Sequence, residues 1–323
     1  MYFPVSGVEV SPFIPPLVAF VVSFFTSMGG VSGAFLLLPF QVSFLGFVSP
    51  AVSPTNLVFN IVAIPSGIYR YLKEGRMAWP LTWVVVLGTL PGVAIGAILR
   101  VRYLPDPKSF KLFVGLVLLY IGVRLFRDLV KKKSGRSGAQ EAEKRFNERL
   151  KSIRKEGGAG GGAALTAESR VRTLEFSLNK ISYEFYGEVF TFSTWAVFFM
   201  AFLVGIIGGT YGIGGGAIIA PFFVAIFKLP VYTVAGAALA GTFLTSIFGV
   251  LFYQVIVPMF APSGMAVAPD WLLGFLFGFG GLAGVYCGAR LQKYMPASFI
   301  KGMLAVIIIG TAGKYVIQYW FQP

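Results

Sequence analysis

Apolar residues run through this chain in blocks longer than the helices or strands of a water-soluble domain require. Sixty residues separate Glu9 from Arg70 without one Asp, Glu, Lys or Arg, and gaps of 39 and 41 residues lie between Glu188 and Lys228 and between Lys228 and Asp270. A span of the hydrocarbon core takes about 20 mostly apolar residues, so these gaps alone hold several crossings. The pattern predicts an all-α, polytopic transmembrane helical bundle of about eight spans, within a range of about seven to ten. The first run, Phe13 to Phe47, is too long for one straight span and carries glycines at Gly29, Gly30 and Gly33 before Pro39. A break at Met28-Gly29-Gly30 with a shorter second segment is favoured over one long helix kinked at Pro39. Further spans are expected over Pro50–Tyr71, Trp79–Leu99 and Phe110–Leu129, the last preceded by a turn in which Pro105 and Pro107 bracket Asp106.

From Arg127 to Glu188 the character changes, with 14 Lys and Arg and nine Asp and Glu residues gathered in one stretch. Within it, Glu141 to Lys155 reads as a short charged helix and Gly157 to Ala164 as a flexible, low-complexity link. Apolar runs then resume as Phe190–Ile207, a shorter segment Gly215–Phe227, Val231–Ile256, Trp271–Leu291 and Phe299–Trp320. This second block repeats the first. Gly33 and Pro39 match Gly215 and Pro221 at an offset of 182, Gly88, Gly92 and Gly96 match Gly280, Gly284 and Gly288 at an offset of 192, and Pro105 answers to Pro296. The organisation expected is a first transmembrane repeat at 1–130, a basic, partly disordered hydrophilic linker at 131–188, and a second repeat at 189–323. Each repeat opens with a broken helix or re-entrant segment. If that segment returns to its starting side, the linker, Arg70–Arg76, Lys228 and Arg290–Lys301 all share one side, with Arg100–Lys111 and Lys314 as exceptions. The positive-inside rule favours this inverted arrangement, although eight full crossings with both termini on one side also fit.

Composition agrees with a membrane protein: 56% of the 323 residues are hydrophobic, 12% are charged, and mean hydropathy is +0.77. The net charge of +14 suggests a polyanion only until position is considered, since the excess sits in the linker and at span ends. Topology, rather than nucleic acid, accounts for it. With no His there is no imidazole metal site, His-based acid–base catalysis or histidine pH switch. The single Cys287 allows no internal disulfide and reads as a small packing residue. No basic n-region precedes the first apolar run, so that run is expected to stay in the mature chain. No carboxylate lies deep in a predicted span, no cofactor is implied, and an enzyme is disfavoured, although a loop Ser or Tyr is not excluded.

Two features point to a site. The Gly208–Gly216 stretch GGTYGIGGG lacks the lysine of a nucleotide-binding loop, and no strand–helix alternation surrounds it. In mid-membrane such glycines permit tight turns, and a helix N-terminus created there aims free N–H groups at an oxyanion. Close helix packing through small residues is the competing explanation, and it suits Gly88/Gly92/Gly96 and Gly280/Gly284/Gly288 better than binding does. The second feature is polar residues inside apolar runs: Ser53, Thr55, Asn56 and Asn60, with Thr242, Thr245, Ser246 and Gln254 in the second block. Thr and Ser can instead bond their own helix, whereas an amide in lipid needs a partner. The expected substrate-binding residues are Gly29, Gly30, Ser32, Gly33, Gly212, Gly214, Gly215 and Gly216 as backbone hosts, with Asn56, Thr242 and Thr245 as side-chain donors.

The segments MGGVSGAFLLLP at 28–39, GGTYGIGGGAIIAPFF at 208–223 and VAGAALAGTFLTSIFGVLFY at 234–253 resemble the TauE/SafE-like sulfite and organosulfonate exporters. The resemblance covers both apolar blocks. The second Gly–Pro motif fits well, while the first has Gly-Val-Ser-Gly where a fuller glycine run would stand. It implies a multi-pass permease of the cytoplasmic membrane for small sulfur-containing anions such as sulfite or sulfoacetate. Proton coupling stays open, through a residue near a span end, the substrate's own protonation, or backbone and hydroxyl ligands. An anion channel and a membrane assembly protein without transport are the rival readings.

Overall fold

The computed structural model describes residues 1–28, 31–130, 145, 148, 170–295 and 297–321. Ten α-helices occur among the described residues. The first half holds α1 (Ile14–Met28), α2 (Ala34–Ser43), α3 (Val52–Lys73), α4 (Trp79–Arg102) and α5 (Pro107–Val130). The second holds α6 (Thr194–Tyr211), α7 (Ile219–Ile226), α8 (Val231–Val255), α9 (Trp271–Leu291) and α10 (Ala297–Phe321). By length and composition α4, α6, α8 and α9 can each cross a membrane. Helices α3, α5 and α10, at 22, 24 and 25 residues, have the same reach. Helix α1, with 15 residues, rises about 22 Å at 1.5 Å per residue and falls short of the core's ~30 Å. The first run is therefore broken, as the glycines predict, and so is its counterpart.

The glycine triplets fix how the halves join. A Cβ on Gly88, Gly92 or Gly96 of α4 would collide with the carbonyl oxygens of Phe198, Phe202 and Ile206 on α6. One on Gly280, Gly284 or Gly288 of α9 would strike those of Pro16, Phe20 and Phe24 on α1. Each triplet lets two backbones touch, which is how helices associate where lipid removes the hydrophobic driving force. Both contacts advance in the same sense, so α4 runs parallel to α6 and α9 parallel to α1. Gly274 and Gly278 seat α9 alongside α3 at Val58 and Val62, again parallel, while Gly249 against Leu57 and Gly67 against Leu239 set α8 antiparallel to α3. Gly241 and Gly249 both meet α4, at Val85 and Val93, and α8 runs parallel to it. Helices α1, α3 and α9 therefore point one way, and α4, α6 and α8 the other. Since α1 and α3 share a direction, α2 must bring the chain back between them, and α7 does the same between α6 and α8.

Two small antiparallel sheets stand at opposite ends. Strands β1 (Tyr2–Phe3) and β2 (Val8–Glu9) precede α1, while β3 (Arg172–Phe176), β4 (Lys180–Phe185) and β5 (Glu188–Ser193) precede α6. The first sheet is tied to α9, where Ser6 donates to Asp270 from both its backbone N and its hydroxyl, at 3.1 and 2.9 Å. The second meets the turn after α3 through Val171 N to Gly75 O, and α8 through Tyr183 and Thr233, 2.9 Å apart. Burial of the Tyr183 phenol there pushes its pKa up. The second sheet completes the linker and corrects the start of one span. The linker at 131–188 ends in ordered strands, and the span expected at Phe190–Ile207 begins only at Thr194 because 188–193 is a strand. The reason is local: Tyr186-Gly187, both at positive φ, make a tight turn between β4 and β5, along which burial alternates. The expected charged helix at 141–155 lies almost wholly, and the glycine-rich link at 157–164 entirely, outside the described residues, as does Pro296.

Candidate functional site

At the second break α6 ends on Gly212, whose left-handed backbone (φ +81°) closes the helix by donating its N–H to Gly208 O at 2.9 Å. Gly214 is also left-handed, at φ +84°. These two positions turn the chain inside the bundle, a conformation L side chains rarely adopt. At the first break α1 ends at Met28, and Gly29 and Gly30 lie outside the described residues. Gly33 then opens α2, and Ile218 opens α7, and neither has a side-chain cap. Two short helices thus begin inside the protein, and their first N–H groups close on the chain itself: Ala34 N donates to Ser32 Oγ at 3.2 Å, Phe35 N to Ser32 O, Leu36 N and Leu37 N to Gly33 O, and Ile219 N to Gly216 O.

Side chains from α3 draw the two breaks together. Asn60 accepts from the Ser32 hydroxyl and donates to Ile213 O at 2.9 Å and to Ser246 Oγ at 3.1 Å. One turn away, Asn56 donates to Ala34 O at 3.0 Å and Gly212 O at 3.1 Å, and accepts from Gln41 Nε2 at 3.2 Å. Both amides are completely buried. Asn56 joins the Ala34 carbonyl, and Asn60 the Ser32 hydroxyl, to the 212–213 backbone, so the two glycine segments converge at the bundle centre.

Helix α8 behaves differently. Thr245 accepts from Gly215 N at 3.1 Å while its own hydroxyl bonds Gly241 O, and Thr242 bonds Ala238 O. In this conformation the two threonines do not act as donors to a ligand. Thr245 holds the break as an acceptor, and Thr242 packs against Gly214 and Gly216. Gly215 abuts Thr89 of α4, and Gly33 abuts Ser23 of α1. Three buried polar atoms around the breaks lack a hydrogen bond: Ser23 Oγ, Gln41 Oε1 and Ser53 Oγ, the last beside Gly212. Sequence reasoning named Asn60 and Ser246 among the polar residues without ranking them as ligands. Thr89, Gln41 and Ser23 it did not name, and nothing in their local sequence separates them from ordinary self-bonding helix residues.

Ionised groups stand at the ends instead. Where α3 finishes, Glu74 pairs with Arg70 at 2.7 Å and with Arg76, whose guanidinium also covers the Tyr71 ring and donates to Gln292 Oε1 at 3.0 Å. Gln292 in turn donates to Met28 O at 2.8 Å, closing the end of α1. At the opposite end of the bundle Arg100 is completely buried. No group of metal-ligating side chains occurs among the described residues.

With this geometry in place, the comparisons with known proteins are specific. The sequence profile described as Sulfite exporter TauE/SafE matches residues 16–315. A Bacillus subtilis (strain 168) protein described as "Probable membrane transporter protein YunE" is 24% identical over 293 residues, covering 88% of this chain and 89% of its own. No solved structure matches.

Proposed function

Since the chain belongs to the sulfite exporter TauE/SafE family, and is thus a multi-pass membrane transporter of the cell membrane, we propose that its cargo is a small sulfur-containing anion, sulfite, sulfoacetate or a related organosulfonate. The observation that carries this reading is the meeting, through Asn56 and Asn60, of the segment that opens α2 with the segment between α6 and α7. The positive ends of the α2 and α7 dipoles suit an oxyanion, and broken helices hold substrates in this way at the midplane of secondary transporters. The site contains no ionised side chain among the described residues, so it can release what it binds. Coupling to protons, where it occurs, falls to the substrate's own protonation.

Every polar group of the centre is buried, and the apolar side chains of Leu57, Val58, Ala97, Val101 and Val250 crowd the space beyond it toward one end. That favours a site exposed by alternation over a channel, which needs a continuous polar path. The β3–β5 sheet, Arg70–Arg76, Lys228 and Arg290 gather at the end of the bundle where α3 and α9 finish, and this end is read as cytoplasmic.

The deciding experiment is flux of radiolabelled sulfite, sulfoacetate, taurine and sulfate in proteoliposomes, with and without an imposed pH gradient. Saturable movement of one sulfur anion, mutually competed by its congeners, is expected. Protein that is folded and inserted yet moves none of the four overturns the substrate assignment, and insensitivity to the gradient removes proton coupling.

A further inference from the structure

Arg100 is an anomaly. It sits in the last turn of α4, has no exposed surface, and packs its guanidinium 3.7 Å from the centre of the Phe110 ring. Its Nη1 donates to Leu104 O, which satisfies the helix end. Its Nε and Nη2 have no hydrogen-bond partner, and the exposed carboxylate of Asp106, whose charge reaches it, makes no ion pair with it. These two nitrogens form the side edge of the guanidinium, where two N–H bonds point in parallel, the edge that grips two oxygens of one anion. Leaving it empty in an apolar setting is expensive, because an uncompensated buried charge is strongly destabilising.

The surroundings show the same deficit. Tyr253 of α8 lies within electrostatic reach of Arg100, and its hydroxyl is turned toward that of Ser53 on α3, with no other partner for either hydroxyl. Around them, Ala97, Val101, Val250 and Val257 are buried and apolar. Arg100 thus holds two unmatched N–H groups beside a pair of hydroxyls from two other helices whose remaining hydrogen-bonding capacity is unused, a combination native proteins seldom bury. Ser53 also touches Gly212, so this cluster adjoins the central breaks. The other end of the bundle provides a control. There Arg70 and Arg76 share Glu74, and Tyr71 donates to Gln292 at 2.9 Å.

We propose that Arg100, Tyr253 and Ser53 form a second anion-binding site, a waiting position for an oxyanion between the central breaks and the end of the bundle opposite the linker. Its purpose rests on the transport reading, but its existence does not. The guanidinium edge binds two oxygens and the two hydroxyls bind a third, which matches a pyramidal or tetrahedral oxyanion better than a halide. Positive charge is confined to the approach, while the neutral centre keeps release fast.

The test uses the full chain in detergent micelles, titrated with sodium sulfite, sulfate and chloride at fixed ionic strength and followed by calorimetry. Asn60→Leu, which disables the centre, is expected to retain one oxyanion-binding event. Arg100→Gln and Arg100→Met, the latter keeping contact with Phe110, are each expected to weaken that event at least about tenfold, the scale of a lost charge-assisted pair. Tyr253→Phe and Ser53→Ala should weaken it by smaller factors. Anion binding that is unchanged in the Arg100 variants shows a site filled by water and overturns the proposal. Should the Arg100 variants not fold, unchanged affinity in both Tyr253→Phe and Ser53→Ala overturns it equally. Arg100-dependent binding in a protein that moves no sulfur anion sustains this site and sinks the substrate assignment instead.

Discussion

Helices α3 and α8 follow the two breaks, lie against each other in opposite directions and occupy corresponding places in the two halves, yet they hold the breaks by different means. Helix α3 presents amides. Asn56 and Asn60 extend beyond their own helix and bond carbonyls or hydroxyls in both halves. Helix α8 presents hydroxyls, and Thr242 and Thr245 spend their only protons on the carbonyls four residues back. A hydroxyl has one proton and a short arm, whereas an amide has two protons, an acceptor and the reach to join separate segments. The centre is therefore asymmetric despite the repeated glycine pattern: α3 ties the two breaks together, and α8 supplies the surface on which the second is moulded.

Asn60→Leu should break this arrangement most completely. It leaves Ser32, Ile213 and Ser246 without their shared partner, and each buried orphan costs about 1–3 kcal/mol. Flux is expected to fall below a tenth of wild type, with a clear drop in thermal stability in detergent. Wild-type flux in this variant would show that the breaks hold themselves. Gly212→Ala comes next. It forces a side chain into a left-handed position already closed by Ser53, at a cost of order 1–3 kcal/mol, and should disturb the second break while leaving the membrane-inserted fold intact. Limited proteolysis and flux together would check this, and normal flux would place the glycine outside the working part of the break. Larger residues at Gly215 would test packing more than binding, because Thr89 of α4 stands against it.

Removing one strut from each break sharpens the comparison. Ser32→Ala takes two bonds from the first break, those with Asn60 and with Ala34 N, and Thr245→Val takes the one from Gly215 N in the second, each worth about 1 kcal/mol in a neutral pair. If α3 dominates, Ser32→Ala should lower flux more, because it also frees one side of Asn60, whereas Thr245→Val leaves the Asn56 and Asn60 bonds to the second break in place. A larger loss in Thr245→Val reverses the assignment of roles.

The sequence made the breaks and the packing glycines legible for a physical reason. Glycine clusters change backbone freedom locally, and triplets four residues apart mark one helix face, so both signals are contained in a short window. The Asn60–Ile213 bond joins residues 153 positions apart, and no window contains it. Periodicity could say that Asn60 needed a partner but not which one. Arg100 was missed because an arginine at a span end normally extends to the interface, and burial there depends on Phe110 and Tyr253 arriving from other helices. The β4–β5 hairpin went unread because its Tyr-Gly turn follows a stretch whose charge suggested only a linker. Thr242 was over-read, since the sequence does not say whether a hydroxyl looks outward or back along its helix.

Thr242 is therefore the smallest and most discriminating substitution. Thr242→Val preserves shape and removes a hydroxyl that bonds only Ala238 O in this conformation, a carbonyl that is already part of the α8 ladder. Nearly unchanged stability and flux within about twofold of wild type are expected, since surplus back-bonding contributes little. A tenfold loss of flux with unchanged stability would mean that the hydroxyl turns toward cargo in a conformation other than this one. Helix α8 would then be the ligand-bearing partner and α3 the scaffold. The same variant measured with sulfite and with sulfoacetate locates the effect, because a hydroxyl that touches the sulfur oxyanion alters both, and one that touches only the organic arm alters sulfoacetate alone.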